Sequence, residues 1–163
     1  MWLGTGQQGR GVISTLNGLP KMALHAIGRS GNQRGTNSSE LIAAAHAGSF
    51  ALTLSKELAQ AGYRPRQIDT TATVTMENSA AGWMMTQIHL DVVATVPKAQ
   101  EGEFVDAALR AKASCPVSRA LNANISMRAQ LVRQESAKPK KRSGSASRSP
   151  INRNKTNRYR PNG

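Results

Sequence analysis

The chain carries one sulfur nucleophile, Cys115, the sole cysteine among 163 residues. It lies in Ala111-Lys112-Ala113-Ser114-Cys115-Pro116-Val117-Ser118, where a proline breaks a helical pattern. A second segment, Ala43-Ala44-Ala45-His46-Ala47-Gly48-Ser49-Phe50, reads as part of a long apolar helix and carries a hydroxyl, Ser49. Two such positions facing each other suit a two-thiol redox site. In that chemistry a thiolate attacks an O–O bond and becomes a sulfenic acid, and a second thiol condenses with it to a disulfide. The attacking thiol needs a lowered pKa, from an arginine or a helix terminus, with a carboxylate to fix the arginine. Only one of the two positions holds sulfur here. A serine hydroxyl is far less acidic and less polarizable than a thiol and has no accessible sulfenic state. A standard two-cysteine cycle therefore cannot run. Cys115 either reacts alone, resolved by an outside thiol or its symmetry mate, or is a small buried apolar residue.

Other constellations are weaker. His46 precedes Ser49 by three residues, on a neighbouring face of the helix, and no acid completes a Ser-His pair. Packing, or a hydrogen bond to a dimer partner, is its expected role. His25 and His89 fall in separate strands without ligand-spaced partners, so no metal site and no cofactor are expected. The glycines at 4, 6, 9 and 11 lack the Lys-Ser/Thr of a phosphate loop and the strand-loop-helix order of a dinucleotide site. Met84 and Met85 read as sheet and core filler.

The net charge of +13 suggests a polyanionic partner, but its distribution argues otherwise. Nine Lys and Arg and no acid lie from Ser136 to Gly163, leaving 13 basic against nine acidic residues before that point. Residues 1–133 are read as one domain and 134–163 as a basic tail, too poor in apolar residues to offset its own ordering entropy. The run Lys138-Pro139-Lys140-Lys141-Arg142, with Tyr159 for stacking, can attract nucleic acid or an acidic membrane by counterion release. No recognition module accompanies it, so a plain solvated extension is the preferred reading. No apolar run reaches the roughly 20 residues of a membrane span, and no signal peptide is read at the start. A soluble, cytosolic protein is expected.

The elements that must position these residues follow from pattern. Trp2 to Leu19 reads as a hairpin and Lys21 to Ile27 as a further strand, followed by a polar loop over 28–36. Asn37, Ser38 or Ser39 caps a helix running to about Ala61, with Gly62 as its stop and Leu41, Ile42, Ala45, Leu52 and Leu58 as its apolar face. Ile68 to Glu77 and Trp83 to Val96 form an antiparallel hairpin with Ile88, Leu90, Val92 and Ala94 on one side. Glu103 to Ala113 is a helix with Phe104, Ala107, Ala108 and Ala111 inward. Pro116 opens a short helix over Val117 to Leu121, and Asn124 to Val132 is the last strand. The order predicts an α+β fold with an antiparallel sheet.

With these motifs in place, a resemblance becomes specific. Gly35-Thr36-Asn37 and Glu40-Leu41-Ile42, followed by Ala44-Ala45-His46-Ala47 and by Phe50 after the cysteine position, resemble the core of the OsmC/Ohr proteins, osmotically inducible protein C and organic hydroperoxide resistance protein. Ala113 to Ser118 resembles their second cysteine motif, and Trp2, Gly4, Gly9, Gly11 to Thr15 and Ile68 to Ala72 are similar to the OsmC branch. The resemblance spans about Trp2 to Leu131. It implies the OsmC-like fold: an intertwined homodimer with antiparallel sheets wrapped around two long central helices and sites at the subunit interface. It also implies reduction of organic hydroperoxides and hydrogen peroxide by a two-cysteine cycle with an external dithiol reductant. By the same resemblance the peroxidatic cysteine falls at Ser49, the resolving cysteine at Cys115 and the thiolate-activating arginine at Arg29. The carboxylate holding that arginine falls at Ser39, with Glu40 one position along as its substitute, although one helical residue turns a side chain by about 100°. Two of the four places depart from the pattern. The alternative is a non-catalytic dimer that holds lipid-like or oxidised ligands in its interface pocket.

Overall fold

The structure, a computed structural model, describes residues 1–5, 9–26 and 35–132. Arg29, the 133/134 boundary and the basic tail lie outside the described residues. Four short strands open the fold: β1 (Trp2–Leu3), β2 (Arg10–Ile13), β3 (Met22–His25) and β4 (Thr36–Asn37), paired in that order. Gly9 and Gly11 do more than punctuate the turn. A Cβ on either would come within 2.6 Å of the Trp2 indole, so the two glycines make room for that ring.

The long helix α1 (Ser38–Gln60) follows. Of the three candidate caps Asn37 serves: its Oδ1 accepts the Glu40 N–H at 2.9 Å, worth about 1 kcal/mol. Gly62, at φ 85°, ends the helix by donating to the Ala59 carbonyl, while Tyr63 donates to that of Leu58. That is a Schellman stop, and only glycine takes this φ without strain. The buried face of α1 is His46, Phe50, Leu54 and Leu58, an i, i+4 row. This corrects the expected face, of which Leu58 alone is fully buried. Ala45 and Leu52 point away from the chain's own core, Leu52 at 75% exposure, and Leu41 and Ile42 are half-buried. α1 carries two apolar stripes, and its own chain covers one of them.

β5 (Gln67–Ser79) and β6 (Gly82–Thr95) form a long antiparallel hairpin. α2 (Glu101–Ser114) begins two residues earlier than expected, where Glu103 accepts the Gln100 N–H at 3.0 Å. α3 (Pro116–Ala120) has proline in its first turn, and β7 (Asn124–Leu131) completes a sheet ordered β5-β6-β7. The α+β class holds, but the sheets are mixed: β7 runs parallel to β6, and β4 parallel to β3. The physical reason is the crossover. The chain leaves β6, passes through α2 and α3, and returns in the same direction, which lays both helices on one sheet face. Phe50, Leu54 and Leu58 of α1, Leu90 and Val92 of β6, and Phe104 and Ala108 of α2 fill the space between, with Cys115 at its edge.

Candidate functional site

Cys115 closes α2 and opens α3. Its N–H donates to the Ala111 carbonyl at 2.9 Å, and its own carbonyl accepts the Arg119 N–H at 3.0 Å. Pro116 disfavours the helical conformation at the residue before it, and Cys115 accordingly sits at φ −59°, ψ 123°. The helical path thus breaks at Cys115 and restarts one residue on. The side chain is fully buried.

Ser49 of α1 faces it, with Oγ 3.4 Å from Cys115 Sγ. Thr53 Oγ1 donates to the Ser49 carbonyl at 2.8 Å, one turn along the helix. Beside this pair, His46 Nε2 and Ser118 Oγ lie 2.8 Å apart, the histidine fully buried and the serine nearly so. His46 therefore bonds within its own chain. About two turns past Ser49, Glu57 braces α1 against α2: its carboxylate accepts from Arg110 Nε and from Ser114 Oγ, each at 3.2 Å.

Two opposed effects act on the thiol. Burial pushes the Cys115 pKa up and is the largest single influence. Hydrogen bonds from the Ser49 hydroxyl, the Ser118 N–H and hydroxyl and the Val117 N–H together outweigh it, and the net direction is down. Burial alone lowers the pKa of His46 and favours its neutral ring.

The remaining site candidates lie elsewhere. Glu40 is nine residues before Ser49, about 14 Å along the helix axis, and its Oε2 accepts from Thr36 Oγ1 at 2.9 Å. With Ser39, Ala43, Ala72, Val74 and Trp83 it lines a cleft of ≈ 480 Å³, mostly apolar in lining. The chain thus brings Ser49, Cys115, His46 and Ser118 together and leaves Ser39 and Glu40 at a separate cleft. Among the described residues no three His, Cys, Asp or Glu side chains gather as metal ligands.

Sequence reasoning missed the role of Ser118. Ser118 closes the second cysteine motif, three residues after Cys115, but nothing in the motif pairs it with His46. A second pair was also missed: His89 Nδ1 and Ser126 Oγ, 2.7 Å apart on the outer sheet face, with Asp91 Oδ1 3.5 Å from His89 Nε2. It follows from the parallel register that sets His89 beside Ser126.

Comparisons with known proteins find matches in sequence and in fold. The family model "OsmC-like protein" matches residues 30–130. Peroxiredoxin OsmC of Escherichia coli (strain K12) is 39% identical over 131 residues, 80% of this chain and 92% of that protein, and the Shigella flexneri protein of the same name matches equally. Among solved structures, the organic hydroperoxide resistance protein OhrB of Bacillus subtilis superposes with a TM-score of 0.60, at 18% identity over 81% of this chain and 95% of its own. An OsmC-like protein from Mycoplasma pneumoniae gives 0.61, at 14% identity over 76% and 96%. At those identities the structural likeness speaks for the fold.

Proposed function

The chain belongs to the OsmC-like protein family, and from that membership we propose an OsmC-type peroxidase for organic hydroperoxides in which one of the two sulfurs is a hydroxyl. Ser49 holds the place of the attacking cysteine and Cys115 that of the resolving one. Arg29 takes the thiolate-activating place and Ser39 the carboxylate place, with Glu40 as its substitute. Because Ser49 cannot cycle, Cys115 is the group left to react. Its thiolate attacks one peroxide oxygen, the O–O bond breaks, and the departing alkoxide takes a proton to leave as the alcohol while the sulfur becomes a sulfenic acid. An external dithiol then reduces it. The first thiol forms a mixed disulfide and releases water, and the second displaces Cys115 as a free thiol. A lone, unbridged cysteine suits a reducing compartment such as the cytosol.

The observation that carries this reading is the 3.4 Å between Ser49 Oγ and Cys115 Sγ, the juxtaposition that a two-sulfur centre requires. The experiment is hydroperoxide consumption with an excess of dithiol, comparing the native chain with Ser49→Cys and Cys115→Ser. Slow turnover in the native chain, lost in Cys115→Ser and raised in Ser49→Cys, supports the reading. Native turnover that survives Cys115→Ser overturns it.

The partner is a second copy. On α1, Ala44, Ala45, Gly48 and Leu52 are all exposed and lie on the stripe that this chain leaves bare. Small residues there let a second helix approach closely, and an exposed apolar stripe on a central helix calls for cover. Sedimentation of Leu52→Lys is expected to show monomer where the native chain shows dimer.

A second reading rests on the cleft beside Glu40, where Ala43, Ala72, Val74, Met76 and Trp83 offer apolar walls. There the dimer holds lipid-like or oxidised molecules without turning them over. A ligand retained in native mass spectrometry, together with no peroxide turnover, favours it.

A further inference from the structure

A second cavity, of ≈ 520 Å³, lies at the C-terminal end of α1, between two turns of the chain. One turn, 61–66, leads from α1 into β5, and the other, 96–100, leads from β6 into α2. The hairpin holds them together: the Arg66 N–H donates to the Thr95 carbonyl at 2.8 Å, where the β5–β6 ladder begins. Gly62, in the cavity wall, lies about 20 Å along the helix axis from Ser49. The cavity is therefore separate from the thiol, and its size suits a small molecule.

Its walls are stiff and apolar. Pro65 and Pro97 fix the backbone, one in each turn, and Tyr63 is half-buried against the core. Around them stand three cations, Arg64, Arg66 and Lys98, and no acid among the described residues lines the space. Among the described residues Arg64 and Lys98 have no ion pair and no side-chain hydrogen bond. The acids nearest in sequence, Glu101 and Glu103, belong to the first turn of α2, where Glu103 accepts the Gln100 N–H. Lys98 is held at φ 69°, the one non-glycine residue in the left-handed region among the described residues. A Cβ disfavours that conformation, and glycine would make the turn without the cost. The chain keeps a long cation there.

The cations do not simply answer the negative end of α1. The carbonyls of Glu57, Leu58 and Ala59 already accept the N–H groups of Ala61, Tyr63 and Gly62, and a helix end acts only within its last turn. Three positive charges with no lining acid match a multiply charged anion better than a single carboxylate. A guanidinium offers a planar fork to two oxygens of one phosphate, and a lysine adds a point charge. We infer that this cavity binds an organic phosphate: Arg64, Arg66 and Lys98 hold the phosphate dianion, and a flat or apolar body lies against Tyr63, Pro65 and Pro97. The site does not depend on the peroxidase reading.

The experiment is isothermal titration of the native full-length chain, at fixed ionic strength, with adenosine 5′-monophosphate, inorganic phosphate, adenosine and decanoate. The nucleotide is expected to bind saturably, one per chain, and to raise the melting temperature. Inorganic phosphate is expected to bind more weakly, for want of a body to lay on the apolar wall. The basic tail is the competing source of charge, so two double variants that lose the same charge are compared. Arg64→Ala with Lys98→Ala is expected to weaken nucleotide binding about tenfold or more, and Lys140→Ala with Lys141→Ala to leave it unchanged. Lys98→Gly separates binding from folding: it is expected to melt no lower than the native chain, since it relieves the backbone, and still to bind more weakly. Four results overturn the inference: no saturable binding, equal losses in the two double variants, adenosine or decanoate as tight as the nucleotide, or phosphate as tight as the nucleotide.

Discussion

The molecule holds two histidine–serine pairs of nearly equal length, His46–Ser118 at 2.8 Å and His89–Ser126 at 2.7 Å. The first is buried where α1 meets α3, beside a sulfur. The second lies on the outer face of the three-stranded sheet, where the side chains of His89 and Asp91 are 43% and 52% exposed. The second even has the acid that a Ser-His-Asp reading asks for, and the first has none. Water decides between them. On the sheet face each group exchanges a protein partner for a solvent one at little cost, so the bond fixes nothing. In the core an unmade bond carries the full desolvation penalty, so each group is held to its partner. A side-chain constellation thus carries chemistry only where its surroundings forbid the alternatives.

The sharpest way to use this contrast is to put a second sulfur into each region. Ser49→Cys sets two sulfurs within bonding reach in the core, and dithiol-dependent hydroperoxide turnover is expected to rise by on the order of 10²-fold or more, the scale of restoring an essential group. Ser126→Cys on the sheet face is expected to leave turnover unchanged. Equal gains in both variants would mean that the buried junction has no special standing.

Removing the histidines probes stability in place of rate. His46→Ala leaves a cavity and strips Ser118 of a buried partner, and chemical denaturation is expected to show a loss of about 2–3 kcal/mol. The same core responds to pH. The folded pKa of His46 lies below its ordinary 6.5 because burial disfavours the cation. The unfolded chain therefore binds the proton more readily, so the full stability is present above 6.5 and is lost as pH falls through the lower, folded value. His46→Gln is expected to flatten that acid limb of the stability profile. A limb that persists would place the titration elsewhere.

What could be read from the sequence divides along the same line. Local chemistry was legible: Asn37 and Gly62 mark the ends of α1 because a cap oxygen and a positive φ are properties of single residues. The α+β order and the inward Phe104, Ala107, Ala108 and Ala111 followed from periodicity. The covered face of α1 did not, because Ala45 and Leu52 form as apolar a stripe as Phe50 and Leu54, and periodicity cannot say which stripe its own chain covers. Nor did the direction of β7, since alternation reads the same in a parallel and an antiparallel strand. The closeness of Ser49 to Cys115 came from motif resemblance, and the His46–Ser118 bond, spanning 72 residues, had no local signature.

The smallest effect tests the premise itself. Ser126→Ala removes the hydroxyl that His89 engages and also a weaker contact to the Ile88 carbonyl at 3.4 Å. Because the His89 ring is open to solvent, water replaces that hydroxyl, and the expected change is no more than about 0.5 kcal/mol. A double-mutant cycle sharpens this. For His89 and Ser126 the interaction energy is expected to vanish within error, since each partner alone is already satisfied by water. For His46 and Ser118, removing both partners should cost clearly less than the two single losses added together, because the second removal strands nothing new. Equal coupling in the two pairs would break the comparison: burial would then add nothing to the bond, and the buried pair would be packing only.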